Sequence, residues 1–459
     1  MNISVIGLGR LGAPMAAVFA EKGHRVVGVD VNPLAVEALN AGRAPVAEPH
    51  LEEFVSRNRS RLSATLDAER AVLESDATFI IVPTPSNPDG AFSLRYVLES
   101  AQPVGRALAR KPGYHLVVLS STVMPGSTGG QLLPALERAS GKTCGRDFGL
   151  CYGPEFIALG NVIQDMLNPD LILIGESDER SGEMLAAFYE GVCDRYGGVR
   201  RMNFVNAELT KLSVNTFVTT KISYANMLAE ICEKLEGADA DVITNALGVD
   251  SRIGQKYLKG ALGYGGPCFP RDNLAFTALG RREGVEATLA EATDAINRRQ
   301  TLRLTELVLE HLPEGGRVGV LGLAYKPDTP VVEQSPGLLL AQELTRRGVP
   351  VVVYDPEGMP TARGLLSANV EFAKTMEDCA GRADVLVLAT PWAEFRALEP
   401  RHLHAGNARV TLVDCWRLLS REAFAVAEVN YVTLGAGGRA AVRMPALVGA
   451  AAVSRSRGR

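Results

Sequence analysis

Residues 2–12 read NISVIGLGRLG, and residues 25–30 read RVVGVD. The first stretch is a short apolar run that leads into Gly7-x-Gly9-x-x-Gly12, and a helix-like segment separates it from the second run. Strand, tight turn, helix and strand in this order predict a βαβ unit. Further apolar runs at 78–82, 116–120 and 171–174 alternate with helical stretches. This alternation predicts a parallel, doubly wound α/β sheet.

The glycine pattern predicts a dinucleotide site, because glycines allow a tight turn and let the backbone approach a pyrophosphate at a helix N-terminus. The predicted cofactor residues in this unit are Gly7, Gly9, Leu11, Gly12 and Asp30. The Asp30 carboxylate would accept hydrogen bonds from ribose hydroxyls and repel a 2′-phosphate, which favours NAD over NADP. A glycine-rich packing turn is the alternative interpretation.

The middle of the chain follows a different pattern, and the first pattern then returns. Residues 207–235 contain no Gly or Pro and carry apolar residues at helical spacing, which predicts a long helix suited to a dimer surface. Apolar runs at 317–324, 351–355, 383–390 and 409–414 read as a degenerate second copy of the first unit. We therefore predict two Rossmann-like doubly wound α/β domains joined by a long central helix and a helical middle domain. The expected ranges are 1–205, 206–305 and 306–435, with a disordered tail at 436–459.

Composition excludes several classes of protein. The 459 residues carry a net charge of −4, so no global basic field is present to attract a nucleic-acid backbone. No stretch reaches the ~18 consecutive apolar residues that a membrane helix needs. The seven cysteines are odd in number and form no CxxC pair, which argues against a disulfide framework or a zinc site. We expect a cytoplasmic protein with no metal, no nucleic-acid partner and no membrane partner.

Two groups of residues carry candidate chemistry in the middle segment. Cys268 follows a flexible glycine loop in GYGGPCFPRD (263–272), and Asp272 lies four residues on. Lys211 and Asn215 stand at i and i+4 of the predicted long helix, so they share a face and could polarise an oxyanion. Taken alone, these patterns leave open a small buried cysteine and a solvated helix face.

Three further candidates follow predicted strands of the first unit. Thr84 lies in VPTP, Thr122 in SSTV and Glu155 in YGPEF. Loops at the carboxyl ends of strands bind ligands in open α/β sheets, so these side chains are expected at one edge. Ordinary loop and capping roles are the alternative.

Together the motifs resemble the UDP-glucose/GDP-mannose dehydrogenase family over residues 1 to about 435. The carriers are GLGRLG, VPTP, SSTV, GPEF, NPDLILIG, AELTKLSVNTF, RIGQKYLKGALGYGGPCFPRD, LGLAYKPDT and ADVLVLATPW. The resemblance implies a dimer or larger oligomer that uses two NAD to oxidise the C6 alcohol of a nucleotide-linked hexose to a carboxylate.

The resemblance also implies a role for each site residue. Cys268 matches the nucleophile that traps the aldehyde, and Lys211 matches an ammonium that favours its thiolate and, with Asn215, stabilises an oxyanion. Asp272 matches a carboxylate that activates water or orients the lysine. Thr122 and Glu155 match water-positioning residues, with Glu155 the candidate base for thioester hydrolysis. The remaining residues matched to substrate binding are Arg252, Lys259, Tyr264, Gly265, Lys326 and Arg417; Thr84 and Thr122 are also matched to the cofactor.

Three positions depart from the family pattern. Leu159 stands where a glutamate is common, Glu333 where an arginine is common, and Ala35 where a lysine often reaches the adenosine ribose. The first two positions belong near the nicotinamide cofactor, so its far side is expected to be held differently here.

Several functions stay open at this point. UDP-glucose is the expected substrate, because FPRD and DCWRLL (414–419) resemble that branch, while GDP-mannose and UDP-N-acetylhexosamines remain alternatives. A two-electron dehydrogenase of the β-hydroxyacid type and a catalytically weak nucleotide-sugar binder are the alternatives from other classes. GYGGPCFPRD and the second copy of the βαβ pattern favour a nucleotide-sugar 6-dehydrogenase over these two alternatives.

Overall fold

The computed structural model describes residues 1–403, 410–425 and 429–437. Its N-terminal part alternates strands and helices, as the apolar runs predict. The strands are β1 Asn2–Ile6, β2 Arg25–Val29, β3 Leu62–Thr65, β4 Ala77–Ile80, β5 Leu116–Leu119, β6 Gly149–Tyr152, β7 Ile172–Glu176 and β8 Val199–Met202. The helices are α1 Gly12–Glu21, α2 Pro33–Asn40, α3 Leu51–Arg57, α4 Ala68–Leu73, α5 Arg95–Arg110, α6 Leu133–Ser140, α7 Val162–Leu167 and α8 Glu179–Val192; a π-helical turn, Thr128–Leu132, precedes α6.

These eight strands form one sheet in the order β3-β2-β1-β4-β5-β6-β7-β8. Strands β4 and β5 are fully buried, as expected of strands covered on both faces. The expectation of a wholly parallel sheet is wrong at one place, because β7 runs antiparallel to β6. Antiparallel neighbours are joined at one edge of a sheet, so residues 153–171 stay at the carboxyl edge of β6. This keeps Glu155 at the edge where the other candidate residues lie.

Four helices form the middle of the chain: α9 Phe204–Lys234, α10 Ala240–Val249, α11 Phe269–Arg282 and α12 Thr288–Glu310. The predicted long helix is confirmed as α9, which spans 31 residues. It begins where the Asn203 side chain accepts a hydrogen bond from the Asn206 N–H at 2.9 Å. Helices α11 and α12 pack against α9, which brings the residue before α11, Cys268, close to the long helix.

A second sheet follows and repeats the first. Its strands are β9 Val318–Leu321, β10 Val351–Tyr354, β11 Glu371–Phe372, β12 Val385–Leu388, β13 Thr411–Asp414 and β14 Asn430–Thr433. Its helices are α13 Pro336–Arg346, α14 Met359–Arg363, α15 Met376–Ala380 and α16 Arg421–Ala425, with 3₁₀ turns at Ala393–Ala397 and Pro400–His402. The strand order β11-β10-β9-β12-β13-β14 is parallel throughout and matches the order of the first six strands of the first sheet. This confirms the degenerate second copy.

The expected tail begins in ordered structure. Ala436 forms an isolated bridge with Asp239, and the Gly437 N–H donates to the Ala238 carbonyl at 3.0 Å. The rest of that segment, residues 438–459, lies outside the described residues. Among the helices that the structure describes, none combines the length and the apolar character needed to cross a membrane.

Candidate active site

The glycine-rich turn between β1 and α1 has the shape of a dinucleotide site. Gly7 has a φ of +102°, and a Cβ there would lie 2.2 Å from the Ile81 carbonyl oxygen. A Cβ on Gly12 would lie 1.8 Å from the Gly7 carbonyl oxygen, so strand and helix approach too closely for a larger residue. A Cβ on Gly9, in contrast, would meet nothing within 4 Å. The open space before Gly9, at the N-terminus of α1, fits a cofactor diphosphate.

Asp30 follows β2 and turns its carboxylate toward this turn. Its Oδ2 accepts from the Leu8 N–H at 2.7 Å, and its Oδ1 accepts from the Asn32 N–H at 2.8 Å. A carboxylate offers about four lone-pair positions, so roughly two stay available for hydroxyl groups of a ligand. Leu11 immediately precedes α1. The residues present therefore fit a nicotinamide dinucleotide.

Side chains after β4 and β5 tie two loops together at the same edge of the sheet. The Thr84 hydroxyl donates to the Thr122 carbonyl at 2.8 Å. The Ser121 hydroxyl donates to the Val82 carbonyl at 2.7 Å and accepts from the Val82 N–H at 2.9 Å. The structure thus brings Thr84 and Thr122 together, as the motif positions predict.

The glycine loop before α11 is pressed against the C-terminal domain. A Cβ on Gly265 would lie 2.3 Å from the Gln334 carbonyl oxygen, and Gly266 has a φ of +83°. The Gly266 N–H donates to the Glu333 carbonyl at 2.8 Å. Only glycine permits this approach, which presents Cys268 at the start of α11 with its side chain open to solvent.

The Cys268 thiol does not have the depressed pKa that the sequence suggests. Although the residue is exposed to solvent, the protein atoms around the thiol desolvate it, and this desolvation, followed by the charge of Asp272, raises its pKa. The charges of Lys211 and Arg271 act in the opposite direction. Lys211 therefore favours the thiolate as expected, but burial outweighs it in the ligand-free protein.

Three buried polar side chains, those of Lys211 and Asn215 on α9 and of Asp272 on α11, lie where these helices pack together, and Asp272 is one turn along α11 from Cys268. The Asn215 side-chain amide donates to Asp272 Oδ2 at 2.6 Å. The Lys211 Nζ donates to the Glu155 carbonyl oxygen at 2.7 Å and lies 4.5 Å from the centroid of the Phe156 ring. The Asp272 N–H donates to the Cys268 carbonyl at 2.8 Å. The spacing-based prediction that Lys211 and Asn215 share a face holds, and that face is turned toward the cysteine helix.

The Glu155 carboxyl group has a pKa near neutral pH. Burial raises its pKa to about 7, although a hydrogen bond from Tyr189 and the charge of Lys211 lower it. The Tyr189 hydroxyl donates to Glu155 Oε1 at 3.0 Å. A group with such a pKa exchanges protons readily at neutral pH and is suited to general base chemistry. The sequence carries no signal for Tyr189, which lies on α8, 34 residues further along the chain.

Arg271 is a second residue that the sequence reasoning missed. Its guanidinium donates to the Thr84 carbonyl at 2.5 Å and to the Ser86 hydroxyl at 3.2 Å, and it lies 4.9 Å from the centroid of the Phe92 ring. It therefore joins the first turn of the cysteine helix to the loop after β4. Its position in FPRD, between the candidate residues Cys268 and Asp272, could have indicated a role for Arg271 in the site.

Two of the residues matched to substrate binding, Tyr264 and Lys326, are fully or partly buried. The Tyr264 hydroxyl is buried and has no hydrogen-bond partner among the described residues. Its backbone is fixed by Asn297, which accepts from the Tyr264 N–H at 2.7 Å and donates to its carbonyl at 3.0 Å. Lys326 is half-buried, and this burial lowers its pKa, while Asp165 and Glu48 raise it. The Tyr264 hydroxyl is therefore free to form a hydrogen bond with a ligand.

Three other matched residues make different contacts. The Arg252 side chain is 86% exposed and pairs with Asp250 at 2.6 Å. Arg417 pairs with Asp239 at 3.1 Å and donates to the Leu434 carbonyl at 2.6 Å. Lys259 is exposed. No contact between described residues joins these three to Cys268, so their substrate roles stay predictions.

The positions that depart from the family pattern have distinct surroundings. Leu159 is buried in the core of the N-terminal domain, and Ala35 packs against the same core. Glu333 forms an ion pair with Arg10 of the glycine-rich turn, with 3.7 Å between the closest atoms. The departure at 333 thus creates a contact between the cofactor turn and the C-terminal domain.

Comparison with known proteins matches all three parts of the chain to one family. Residues 1–193 match the NAD binding domain of the UDP-glucose/GDP-mannose dehydrogenase family, residues 205–299 its central domain, and residues 319–421 its UDP binding domain.

Individual relatives cover nearly the whole chain. A UDP-glucose 6-dehydrogenase of Haloferax volcanii is 40% identical over 92% of this chain and 98% of its own length. A GDP-mannose 6-dehydrogenase of Pseudomonas aeruginosa is 31% identical over 84% of this chain and 91% of its own. Among solved structures, a UDP-glucose dehydrogenase from Pyrobaculum islandicum superposes with a TM-score of 0.84 at 38% identity, covering 94% of this chain and 96% of that one.

Proposed function

Because the chain belongs to the UDP-glucose/GDP-mannose dehydrogenase family of NAD-dependent nucleotide-sugar 6-dehydrogenases, we propose that it oxidises UDP-glucose to UDP-glucuronate through a thioester on Cys268. The observation that carries this proposal is the arrangement around the cysteine. The Lys211 ammonium and the Asn215 amide of α9 lie beside the buried Asp272 carboxyl in the first turn of α11. The backbone carbonyl of Glu155 accepts a hydrogen bond from Lys211, and the carboxyl of the same residue has a pKa of about 7. The alternative two-electron reaction has no use for such a cysteine.

The first oxidation depends on holding the C6 hydroxyl. NAD, when bound, supplies the acceptor for the hydride that leaves C6 in each of the two oxidations. Lys211 and Asn215 donate hydrogen bonds to the C6 oxygen and stabilise the negative charge that develops as its proton leaves. Asp272 orients Asn215 through the 2.6 Å hydrogen bond, which fixes the donor before substrate arrives.

The aldehyde is then captured by Cys268. The sulfur forms a bond to C6, and the thiol proton ends on the former carbonyl oxygen, which gives a thiohemiacetal. Lys211 and Arg271 favour the thiolate needed for attack, against the effect of burial. Covalent capture keeps the aldehyde in the site until the second oxidation turns the thiohemiacetal into a thioester.

Water completes the reaction. Glu155 takes a proton from the attacking water, the C6–sulfur bond breaks, and the thiol of Cys268 is regenerated. The balance is one alcohol, two NAD⁺ and one water, which become one carboxylate, two NADH and three protons. Glu155 can accept the proton of the attacking water near neutral pH, because its pKa is about 7, and the protons of the two oxidation steps pass to solvent water.

UDP-glucose is favoured among the nucleotide sugars by the similarity of the chain to UDP-glucose 6-dehydrogenases. We assign the nucleotide to the C-terminal domain, with Lys326 as a cation for the diphosphate. The unpartnered Tyr264 hydroxyl and the backbone of Lys259–Gly265 are assigned to the sugar. Arg252 and Arg417 are assigned to contacts with the same ligand.

The long helix is proposed to form a homodimer. Phe217, Tyr224 and Ile231 are seven residues apart, so they lie on one face of α9, and they are 64%, 44% and 48% exposed. An exposed apolar stripe on a helix of 31 residues is suited to contact a second copy of the same helix. We place this enzyme in the cytoplasm, where its seven unpaired cysteines would stay reduced.

The proposed reaction is tested by the NADH yield per sugar at completion. The donors are UDP-glucose, GDP-mannose, UDP-N-acetylglucosamine and UDP-N-acetylmannosamine. The proposal expects two NADH per molecule of UDP-glucose, and no acid product from the Cys268→Ser variant. One NADH per sugar, or two NADH with an unchanged yield from C268S, would overturn the thioester route. Two NADH from a different donor would overturn only the choice of substrate.

A further inference from the structure

One ion pair connects the cofactor turn with the C-terminal domain. Arg10 Nη1 lies 3.7 Å from Glu333 Oε1, and the two side chains are 50% and 54% exposed. The partners are 323 positions apart in the sequence and belong to different Rossmann-like domains. An exposed ion pair of this kind contributes little to stability, so a stronger anion could displace the glutamate.

Arg10 stands where a cation is unfavourable unless an anion is close. It lies between Gly9 and Gly12, two residues before the start of α1, and the first turn of that helix contains no acidic residue. The N-terminus of a helix carries a partial positive charge, which repels a guanidinium and attracts anions. Beside Arg10 is the open space at Gly9 that fits a diphosphate. In the ligand-free protein, Glu333 supplies the missing negative charge.

The segment that carries Glu333 is fixed in place. Its carbonyl accepts from the Gly266 N–H at 2.8 Å, which anchors it to the loop before Cys268. The next residue, Gln334, has a φ of +51° and packs its carbonyl against Gly265. Glu333 therefore cannot easily follow Arg10 when the guanidinium moves toward a ligand.

We propose that Arg10 is a cofactor-binding residue that exchanges partners, pairing with Glu333 in the free enzyme and with the NAD diphosphate in the loaded enzyme. A guanidinium matches a phosphate with two parallel hydrogen bonds, which a glutamate at 3.7 Å does not provide. NAD binding therefore breaks the contact between the turn and the C-terminal domain. Glu333 opposes cofactor binding by occupying the arginine.

Calorimetric titration of NAD⁺ into substrate-free protein tests the exchange through a double-mutant cycle. Arg10→Gln is expected to weaken NAD⁺ binding about tenfold, and Arg10→Lys much less, since the charge remains. Glu333→Gln is expected to tighten binding up to about fivefold, because it frees the arginine. In the R10Q background, E333Q is expected to change the dissociation constant by less than about 1.5-fold.

Arg110 and Glu69 provide the control pair. They pair at 2.7 Å, and Arg110 ends α5 at the opposite edge of the sheet, so R110Q and E69Q are expected to leave NAD⁺ binding unchanged. Thermal melting confirms that each variant is folded. Equal effects of R10Q and R110Q would overturn the proposal. So would an E333Q effect that persists in R10Q, because Glu333 would then repel the diphosphate directly rather than compete for Arg10.

Discussion

Replacing Glu155 by Gln removes the carboxyl group that the structure holds near its titration point at neutral pH. Burial raises the pKa of Glu155 to about 7, against the hydrogen bond from Tyr189 and the charge of Lys211. Only the ionised carboxylate accepts a proton from water. The rate of thioester hydrolysis in the wild-type enzyme is therefore expected to rise with pH, to bend near pH 7 and to level off above it.

The contribution of Glu155 to the free energy of unfolding can be estimated from the rise in its pKa. A rise from 4.5 to about 7 corresponds to roughly 3 kcal/mol at about 1.36 kcal/mol per pKa unit. The folded state holds its proton where the unfolded state has already lost it. The free energy of unfolding thus falls by about this amount as the pH rises from about 4.5 to about 7, and is flat above that. The E155Q variant lacks this titrating group, so its free energy of unfolding does not fall in this way. Its thioester is expected to hydrolyse about 10²–10⁴-fold more slowly than that of the wild type.

Single-turnover rapid quench measures hydrolysis directly. Enzyme is mixed with UDP-glucose and excess NAD⁺ from about pH 5.5 to about pH 9, and covalently bound sugar is separated from free acid product. Denaturant unfolding of the wild type and E155Q at both ends of this range gives the stability difference. The stability advantage of E155Q over the wild type is expected to grow with pH.

The neighbour of Glu155 provides a matched control. Tyr189→Phe removes the hydrogen bond that lowers the pKa of Glu155, so the inflection should move upward by about one unit while the plateau rate changes little. A wild-type profile with no inflection near neutral pH, or an E155Q variant that hydrolyses at the wild-type rate, would refute the assignment of Glu155 as the base.

Three further predictions follow from the same contacts. Lys211→Met is expected to lower kcat by about 10²–10³-fold and to raise the pKa of Cys268 further, measured by the pH dependence of alkylation with iodoacetamide. Gly9→Ala should fold normally yet bind NAD⁺ poorly, because its Cβ enters only the open space, whereas Gly12→Ala should also lose thermal stability, because its Cβ would lie 1.8 Å from a carbonyl oxygen. Phe217→Glu places a charge in the exposed stripe of α9 and is expected to give a monomer by light scattering; an unchanged oligomer would exclude this face as the interface.

The cofactor turn could be predicted from sequence because its requirements are local. A tight turn and a close helix–strand contact demand glycine at fixed spacing, and an acidic residue ends the next strand. The structure places Gly7, Gly12 and Asp30 in these roles. The long helix was predictable for a similar reason, since helical spacing without Gly or Pro is visible within one segment.

Features that depend on distant parts of the chain were not predictable from one sequence. Strand β7 is antiparallel to β6 because the chain enters it from the same edge of the sheet at which β6 ends. A run of apolar residues predicts a strand but does not show in which direction it runs. Strands β3, β8, β11 and β14 contain exposed or half-buried residues, so they lack the continuous apolar runs that mark the buried strands.

The pKa directions and ion-pair partners of the site residues could also be determined only from the structure. The lysine beside Cys268 suggests a depressed pKa, but burial, which sequence spacing cannot report, reverses the direction. Tyr189 tunes Glu155 from another helix, and Arg10 meets Glu333 across 323 positions of sequence. The sequence shows the sign of each charge, but it does not show how deeply a side chain is buried or which distant residue it contacts.

Mass spectrometry of acid-quenched enzyme shows whether Cys268 carries covalently bound substrate during turnover. The wild type and E155Q are mixed with UDP-glucose and NAD⁺, quenched during turnover and digested. We expect a uronyl adduct on the peptide that contains Cys268, and its accumulation in E155Q as hydrolysis slows. Two NADH per sugar with Cys268 unmodified in both proteins would contradict it.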